Sequence, residues 1–481
     1  MTVRNERTLG DLLVAEDDPA ILEYRCGQTG VLLWPHIRVV FLRMMMSDLL
    51  YETELVRVGT ANTSVRWRAA LKTLASSVLH NARAYASNRC RAEICIVTDS
   101  LGTILVEGKW LNRLSDYFAH ACPARTVVIE DHFNWKLHRP RSFSNVLYHA
   151  PRQVENFVVG HLRIRECHRR YAAQLVDLVC SRAQHALGWQ IDALRRQQLI
   201  QMLARKLAGL PHQFRGYRMM LGRIAPKLLL INSACYGPAA TLIAAARQRR
   251  IPIAEFQHGA ISAGHDAYNF SETLRASRDY QLTLPDYFLG YGKWWIDQIN
   301  APVKKVAIGN PHRDAQIEKY ARGADDRRDV LVLGDGIETG KYLAFAEQLV
   351  EPLRRLGLLS VFRPHPIERA AMAHTKSAVR IDLKQDIYES LGAARAVVSE
   401  QSSGLFEAIG FAKSVFVWNT SKARFGFPSH PFENIDSAVQ LGQRLENPKA
   451  GTLSADDAAG IWAPSWRVNY VSFLKSCGVE P

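Results

Sequence analysis

The 481-residue chain has eight cysteines but lacks any CxxC pair. Cys90 and Cys95, the nearest two, have no second pair with which to complete a zinc site. Reduced, structural thiols in a cytoplasmic protein are therefore expected. No apolar run reaches the ~18 residues a membrane span needs. The best stretch, Gly30 to Met46, is broken by His36, Arg38 and Arg43. The opening residues MTVRNERTLGDLL lack the apolar segment of a signal peptide. No HxxxH, HxH or HExxH spacing links histidines such as His265, His312 and His430, so no bound metal is expected.

What is present is the composition of a folded protein, 47% hydrophobic and 22% charged, which excludes a disordered or collagenous chain. The length exceeds what one hydrophobic core usually supports, so two domains are expected. A formal charge of +15 draws nucleic acid, anionic lipid or anionic substrates. The arginines are dispersed over helical stretches rather than gathered beside aromatic stacking positions, so nucleic acid is not the expected partner. Peripheral contact with the anionic inner face of a membrane is.

Residues 1–60 read as a helical preface. In it, GVLLWPHIRVVFLRMMM carries apolar residues at helical spacing with arginines on the other face. That pattern favours a helix packed on the next domain over one lying on a membrane surface. A basic amphipathic helix follows from Arg66 to Ser87, and then strand and helix alternate. EICIVTDS and RTVVIEDHF read as strands with a helical segment between them. Residues 150–225 have a long helical period, and KLLLINS, IPIAEF, LPDYFLGYG and VKKVAIGNP continue the strands. A charged stretch, HRDAQIEKYARGADDRRD, suits a helix and linker. A second alternation runs through VLVLGDG, LLSVFRPHP, AVRIDL, AVVSEQSS and KSVFVWN.

This pattern predicts an α/β chain with two Rossmann-like, doubly wound domains facing a central cleft. The expected units are 61–312, with a helical insertion near 150–225, and 313–460. A C-terminal amphipathic helix is expected over 461–481.

Ligands of open parallel sheets bind beyond the carboxyl ends of the strands. In the second half those ends carry Gly334-Asp335-Gly336, then Arg363-Pro364-His365-Pro366, then Ser402-Ser403 with Glu407 one helical turn on. Gly334 and Gly336 allow the backbone to approach a phosphate. Arg363 and His365 offer charge and donors to its oxygens, the two serines offer hydroxyls at a helix start, and Glu407 is an acceptor for ribose hydroxyls. GDGIETGK is not a Walker A loop: three or five residues precede Gly-Lys, and Tyr342 replaces the magnesium-binding Ser/Thr. As a dinucleotide fingerprint it runs GxGxxxG, one residue too long.

In the first half Gln257-His258-Gly259 follows a strand, which places His258 in the cleft, or alternatively in a cap or backbone bond. Glu130-Asp131 at another strand end could supply a general base, or be two solvated acids in a turn; Asp99 occupies the same kind of position.

The series QHG, RPHP and SSGLFEAIGFAKSVFVW resembles the bacterial CMP-sugar-dependent GT-B transferases, the sialyltransferase and Kdo-transferase groups of capsule and lipopolysaccharide assembly. Their HP motif and Ser-Ser or Ser-Thr motif contact the CMP part of the donor, and His365-Pro366 and Ser402-Ser403 match them. Gln257 to Gly259 match the Kdo-transferase QHG motif, and Arg363 stands where that group has Lys. WPHIR is similar, more loosely, to a motif of proteins encoded with surface-polysaccharide genes. The match spans roughly 230 to 420.

The resemblance implies a glycosyltransferase that takes a nucleotide-sugar donor, CMP-linked, as substrate. No cofactor is implied, and the acceptor is a glycan or lipid-linked glycan. The sialyltransferase acid-acid-Gly base motif is not reproduced. Glu130-Asp131 is followed by His132, and Asp335-Gly336 has one acid, so the base remains open between these and His258. The likeness extends to CDP-glycerol glycerophosphotransferases, and the scaffold also suits a UDP-sugar epimerase. A non-catalytic role in polysaccharide assembly is a further alternative.

Overall fold

The computed structural model describes residues 7–50, 55, 67–88, 90–132, 135–320, 327–411, 414–447 and 449–480. Arg66, residues 321–326 of the expected linker, and Ala412 and Lys413 lie outside them.

The apolar runs at the centres of the sheets form strands buried on both faces, which rewards continuous apolar sequence over alternation. In chain order the first strands are β1 Ile94–Thr98, β2 Thr103–Val106, β3 Lys109–Asn112, β4 Thr126–Glu130, β5 Val146–Tyr148, β6 Leu228–Asn232, β7 Ile253–Phe256, β8 Tyr287–Gly290 and β9 Lys304–Ala307. All except β2 and β3 make one parallel sheet in the order β5-β4-β1-β6-β7-β8-β9. The second half supplies β10 Asp329–Leu333, β11 Leu359–Arg363, β12 Arg380–Ile381, β13 Ala394–Ser399, β14 Ser414–Trp418 and β15 Glu433–Ile435. These form a parallel sheet in the order β12-β11-β10-β13-β14-β15. Each sheet starts in its middle, builds outward to one edge, then crosses back and builds to the other, the 3-2-1-4-5-6 winding of a Rossmann domain. The expected α/β, doubly wound, two-sheet architecture is the one observed.

Three long helices, Ala150–Leu162, Glu166–Leu187 and Ala193–Ile224, occupy the stretch between β5 and β6. The last packs Tyr217, Met220, Leu221 and Ile224 on one face of the first sheet, against Cys95, Val127, Ile129 and Leu229. The opposite face, with Ile94, Ile96, Val128 and Leu230, is covered by Tyr470, Phe473 and Leu474 of the C-terminal helix Trp466–Ser476. That helix therefore docks back on the first sheet.

One expectation of local structure is corrected. The stretch after β1 is not helical at first but the antiparallel hairpin β2–β3. Its turn residues Glu107 and Gly108 both have positive φ, 49° and 76°, as a two-residue hairpin turn demands. The preface helix Arg38–Leu49 packs into the core through Val39, Phe41, Leu42, Met44 and Met45, as its apolar spacing predicts, and its arginines are paired inside the protein. Arg38 is 1% exposed and paired with the fully buried Glu16, Nε to Oε2 at 2.6 Å and Nη2 to Oε1 at 2.7 Å. It also donates to the Asn269 carbonyl at 2.6 Å, and Arg43 binds Asp266 at 2.9 Å. Every charged group there has partners, which is the condition for burying charge. No helix among the described residues is long and apolar enough to cross a membrane.

The two sheets meet through aromatic packing. Trp295, on the helix Lys293–Asp297, lies 4.3 Å from Phe406 between ring centroids; the Trp462 indole donates to the Phe406 carbonyl at 3.1 Å. Arg313 stacks 4.5 Å over Trp462 and donates to the Ile409 carbonyl. Their carboxyl edges face one another. Ser262, in the loop after β7, donates to the Gly426 carbonyl, and Gly426 packs against Gln401 at the end of β13.

Candidate functional site

In the second sheet the order reverses between β10 and β13, so the crevice beyond those two strands is the place to look. The Gly334 amide donates to the Arg363 carbonyl at 2.9 Å and Ser399 Oγ to the Leu333 carbonyl at 2.8 Å, drawing the ends of β10, β11 and β13 together. Gly336 has φ of 81°, and a Cβ there would stand 2.9 Å from His365 Nδ1. Glycine is required both for the conformation and for the approach of the imidazole. Ser402 caps the short helix Ser403–Glu407 by accepting from the Gly404 amide at 3.2 Å, and Gly404 packs on Leu333 and Ile387. Gly334, Gly336, His365, Pro366, Ser402 and Ser403 thus share one edge. His365 and both serines are half-buried and Pro366 is exposed. Burial holds His365 below the usual imidazole pKa.

Three residues expected at this edge have other employment. Arg363 is 3% exposed, and its guanidinium is already spent on Asp382 at 2.9 Å, Ser390 at 2.8 Å and the Lys384 carbonyl at 2.9 Å. It fixes the end of β11 and is not free for a phosphate. Asp335 accepts from the amides of Ile337 and Glu338 at 2.9 and 3.1 Å and pairs with Lys422. The Lys422 ammonium also binds Glu338 at 2.6 Å and Glu400 at 2.8 Å. The oxygens of Asp335, Glu338 and Glu400 lie within 4.8 Å of one another, close enough for a cation, and the protein supplies that cation as Lys422. Glu407 sits beside the Tyr388 hydroxyl, and burial raises its carboxyl pKa, with Arg113 opposing. Its Oε2 lacks a hydrogen-bond partner in the protein.

Across the cleft, Gln257 is buried and pins its own loop, donating to the Gly259 carbonyl at 2.8 Å and accepting from the Tyr291 amide at 2.8 Å. Gly259 has no neighbour where a Cβ would point. His258 lies in a chain of hydrogen bonds whose direction the end partners fix. His265 Nδ1 accepts from the Ala267 amide at 3.2 Å, so its Nε2–H donates to Tyr236 at 3.2 Å. Tyr236 then donates to His258 Nε2 at 3.3 Å, His258 Nδ1–H to Tyr268 at 3.3 Å, and Tyr268 to Glu255 Oε1 at 2.7 Å. Burial pushes His258 down to about 3 and His265 to about 4, and raises the fully buried Glu255 to about 7. His258 is therefore neutral at pH 7, with a lone pair on Nε2.

The Glu130-Asp131 pair is divided. Adjacent residues at a strand end point to opposite sides. Glu130 turns inward, 1% exposed, with Arg141 at 3.1 Å, and burial raises it to about 7. It is not a cleft base. Asp131 instead binds His149 Nδ1 at 2.5 Å on the wall of a cavity that Asp99 also lines.

Glu255 gives a pH signature with a definite sign. Its pKa is about 7 in the fold against 4.5 for an ordinary Glu. The folded state therefore holds a proton that the unfolded chain releases between those values. Its contribution to stability is complete below pH 4.5 and is lost as pH rises through 7, by ~3 kcal/mol in all. Glu255→Gln has no such loss, so in denaturant unfolding the wild type should weaken relative to the variant from pH 4.5 to 8. A stability difference that does not vary over that range would contradict this placement of the proton.

Several cleft residues escaped the motif reading because a lone basic residue in a polar segment carries no spacing signal. Arg113 is one: it lowers the pKa values of Glu407 and His312, yet has no carboxylate within ion-pair distance among the described residues. Arg369, whose Nε lacks a partner among the described residues, is another; Lys341, the Lys of GDGIETGK, lies 2.6 Å from Glu400.

No protein-family model matches the chain, and no curated protein matches it in sequence. Solved structures with a similar arrangement include the UDP-GlcNAc 2-epimerase of Methanocaldococcus jannaschii (11% identity, TM-score 0.43, 80% of this chain and 99% of that one). Another is a UDP-forming trehalose-phosphate synthase from Burkholderia xenovorans (9%, 0.42, 80% and 100%). A third is the wall teichoic acid polymerase TagF (10%, 0.40, 87% and 94%). At such identities and scores nothing about activity follows from them.

Proposed function

We propose that this chain is a glycosyltransferase that binds a nucleotide-sugar donor, CMP-linked, at the carboxyl edge of its second sheet. The acceptor is a surface-polysaccharide or lipopolysaccharide glycan, presented from the first domain. The observation that carries the reading is the convergence of Gly336, His365, Ser402 and Ser403 at the strand-order reversal, opposite the loop that holds His258. The glycine loop admits a phosphate to backbone distance, and His365 and the serine hydroxyls donate to its oxygens. Arg113 and Arg369 add positive charge where the leaving phosphate develops negative charge, the preorganised stabilisation that often dominates transfer. His258, neutral and with Nε2 as acceptor, takes the proton of the incoming hydroxyl in place of Tyr236. The resulting imidazolium is held by Tyr268 and Glu255. Sialic acid and Kdo-like sugars are the donors that the HP and Ser-Ser pair favours.

A thermal-shift panel of CMP, CDP and UDP tests this. The best nucleotide at ~100 times its Kd should add ~2.7 kcal/mol of stability, and CMP should lead. Preference for CDP or UDP would move the reading to glycerol-phosphate transfer or UDP-sugar chemistry, and no shift with any of them would remove it.

A further inference from the structure

A cavity of about 780 Å³ opens at the carboxyl edge of the first sheet, where its own strand order reverses between β1 and β6. That is ample for one or two sugar residues. Its floor is Asp99, Asn232, Ser233 and the Asp131–His149 pair; its roof is His36 of the preface together with the helices Ala150–Leu162 and Ala193–Ile224. Asn232 donates to Asp99, which sets both side chains. Ser233 holds a left-handed backbone at φ 59°, a strained conformation of the kind that gathers at ligand sites.

Among the residues that line it, several buried polar atoms have no hydrogen-bond partner among the described residues: both ring nitrogens of His36, Nε2 of His149, Oδ1 of Asn232, Oε1 of Gln153 and Oδ1 of Asn156. His36 is 8% and His149 9% exposed. Native proteins leave few such groups, and their gathering around one cavity points to a ligand rich in donors and acceptors. Charge divides the space. At the strand end stand the carboxylates of Asp99 and Asp131. At the roof stands Lys206, with no carboxylate within ion-pair distance among the described residues. Burial lowers the Lys206 pKa to about 8, and its charge depresses His36. A half-buried ammonium without a carboxylate partner among the described residues favours an anion.

We infer that this cavity binds a polyhydroxylated anion, an acidic or phosphorylated sugar, with its charged group on Lys206 and its hydroxyls on Asp99, Asp131–His149 and Asn232. The binding claim needs only the cavity. That the ligand is the acceptor rests on the donor reading above, and Tyr236 makes the link, since it lines the cavity and donates to His258.

Titration calorimetry on the full chain without nucleotide tests it, with glucuronate, glucose 6-phosphate and neutral glucose as probes. At least one charged probe should bind about ten- to hundredfold more tightly than glucose, the worth of one charge-assisted contact. Which of the two does so separates a carboxylate from a phosphate ligand. Lys206→Met should abolish that preference without lowering thermal stability, since the half-buried Lys206 has no carboxylate partner among the described residues to lose. Asp131→Asn should weaken charged and neutral probes alike. Equal binding of all three probes, an unchanged preference in Lys206→Met, or no binding at all would overturn the inference. Failure here leaves the CMP result standing, and failure of the CMP panel leaves this one.

Discussion

Replacing His365 by Ala is expected to lower transfer by about 10²–10³-fold, the cost of removing one preorganised donor at a developing anion. CMP affinity should fall about tenfold or more. The chain should stay folded, because His365 is half-buried at the rim and its side chain's one hydrogen bond among the described residues is a long contact from the Ile367 amide at 3.5 Å. Equilibrium CMP binding, transfer assays and thermal unfolding on the same preparation separate these effects. Full turnover with unchanged CMP affinity would remove the second-sheet edge as the donor site. Arg363→Ala should behave differently. It strips partners from Asp382 and Ser390, so it should lower stability first and binding only as a consequence.

His258→Ala is expected to lower the rate by about 10²–10⁴-fold while nucleotide affinity stays near the wild-type value. The two variants together distinguish the halves of the site, since His365 belongs to the donor edge and His258 to the facing loop. Tyr268→Phe should sit between wild type and His258→Ala, because it keeps the imidazole but cuts its connection to Glu255. Wild-type turnover in His258→Ala would make the whole chain of bonds a structural network.

Much of this was legible in the sequence. Strand runs such as VLVL and AVVS are apolar on both faces because helices cover both sides of a parallel sheet, and chemistry-bearing loops follow strand ends by topology. Strand order was not legible, since pairing β1 with β6 joins segments 134 residues apart in the register Ile94↔Leu228. Nor was the fate of Arg363, settled by Asp382 and Ser390 at 19 and 27 residues' distance, or of Asp335, held by Lys422 from 87 residues away. Two features could have been read. The two-residue period of a strand already sends Glu130 and Asp131 to opposite sides, and Glu107-Gly108 between apolar runs is a hairpin signal. The Lys206 cavity had no motif: its residues come from the preface, four strand ends and three helices, and only the fold brings them together.

The most direct measurement is amide hydrogen exchange with and without saturating CMP. Slowed exchange confined to residues 334–342, 364–369 and 401–408 is the expected result, because one nucleotide touching all three loops must order them together. Protection of a different region, or of one of these loops alone, would contradict a shared pocket.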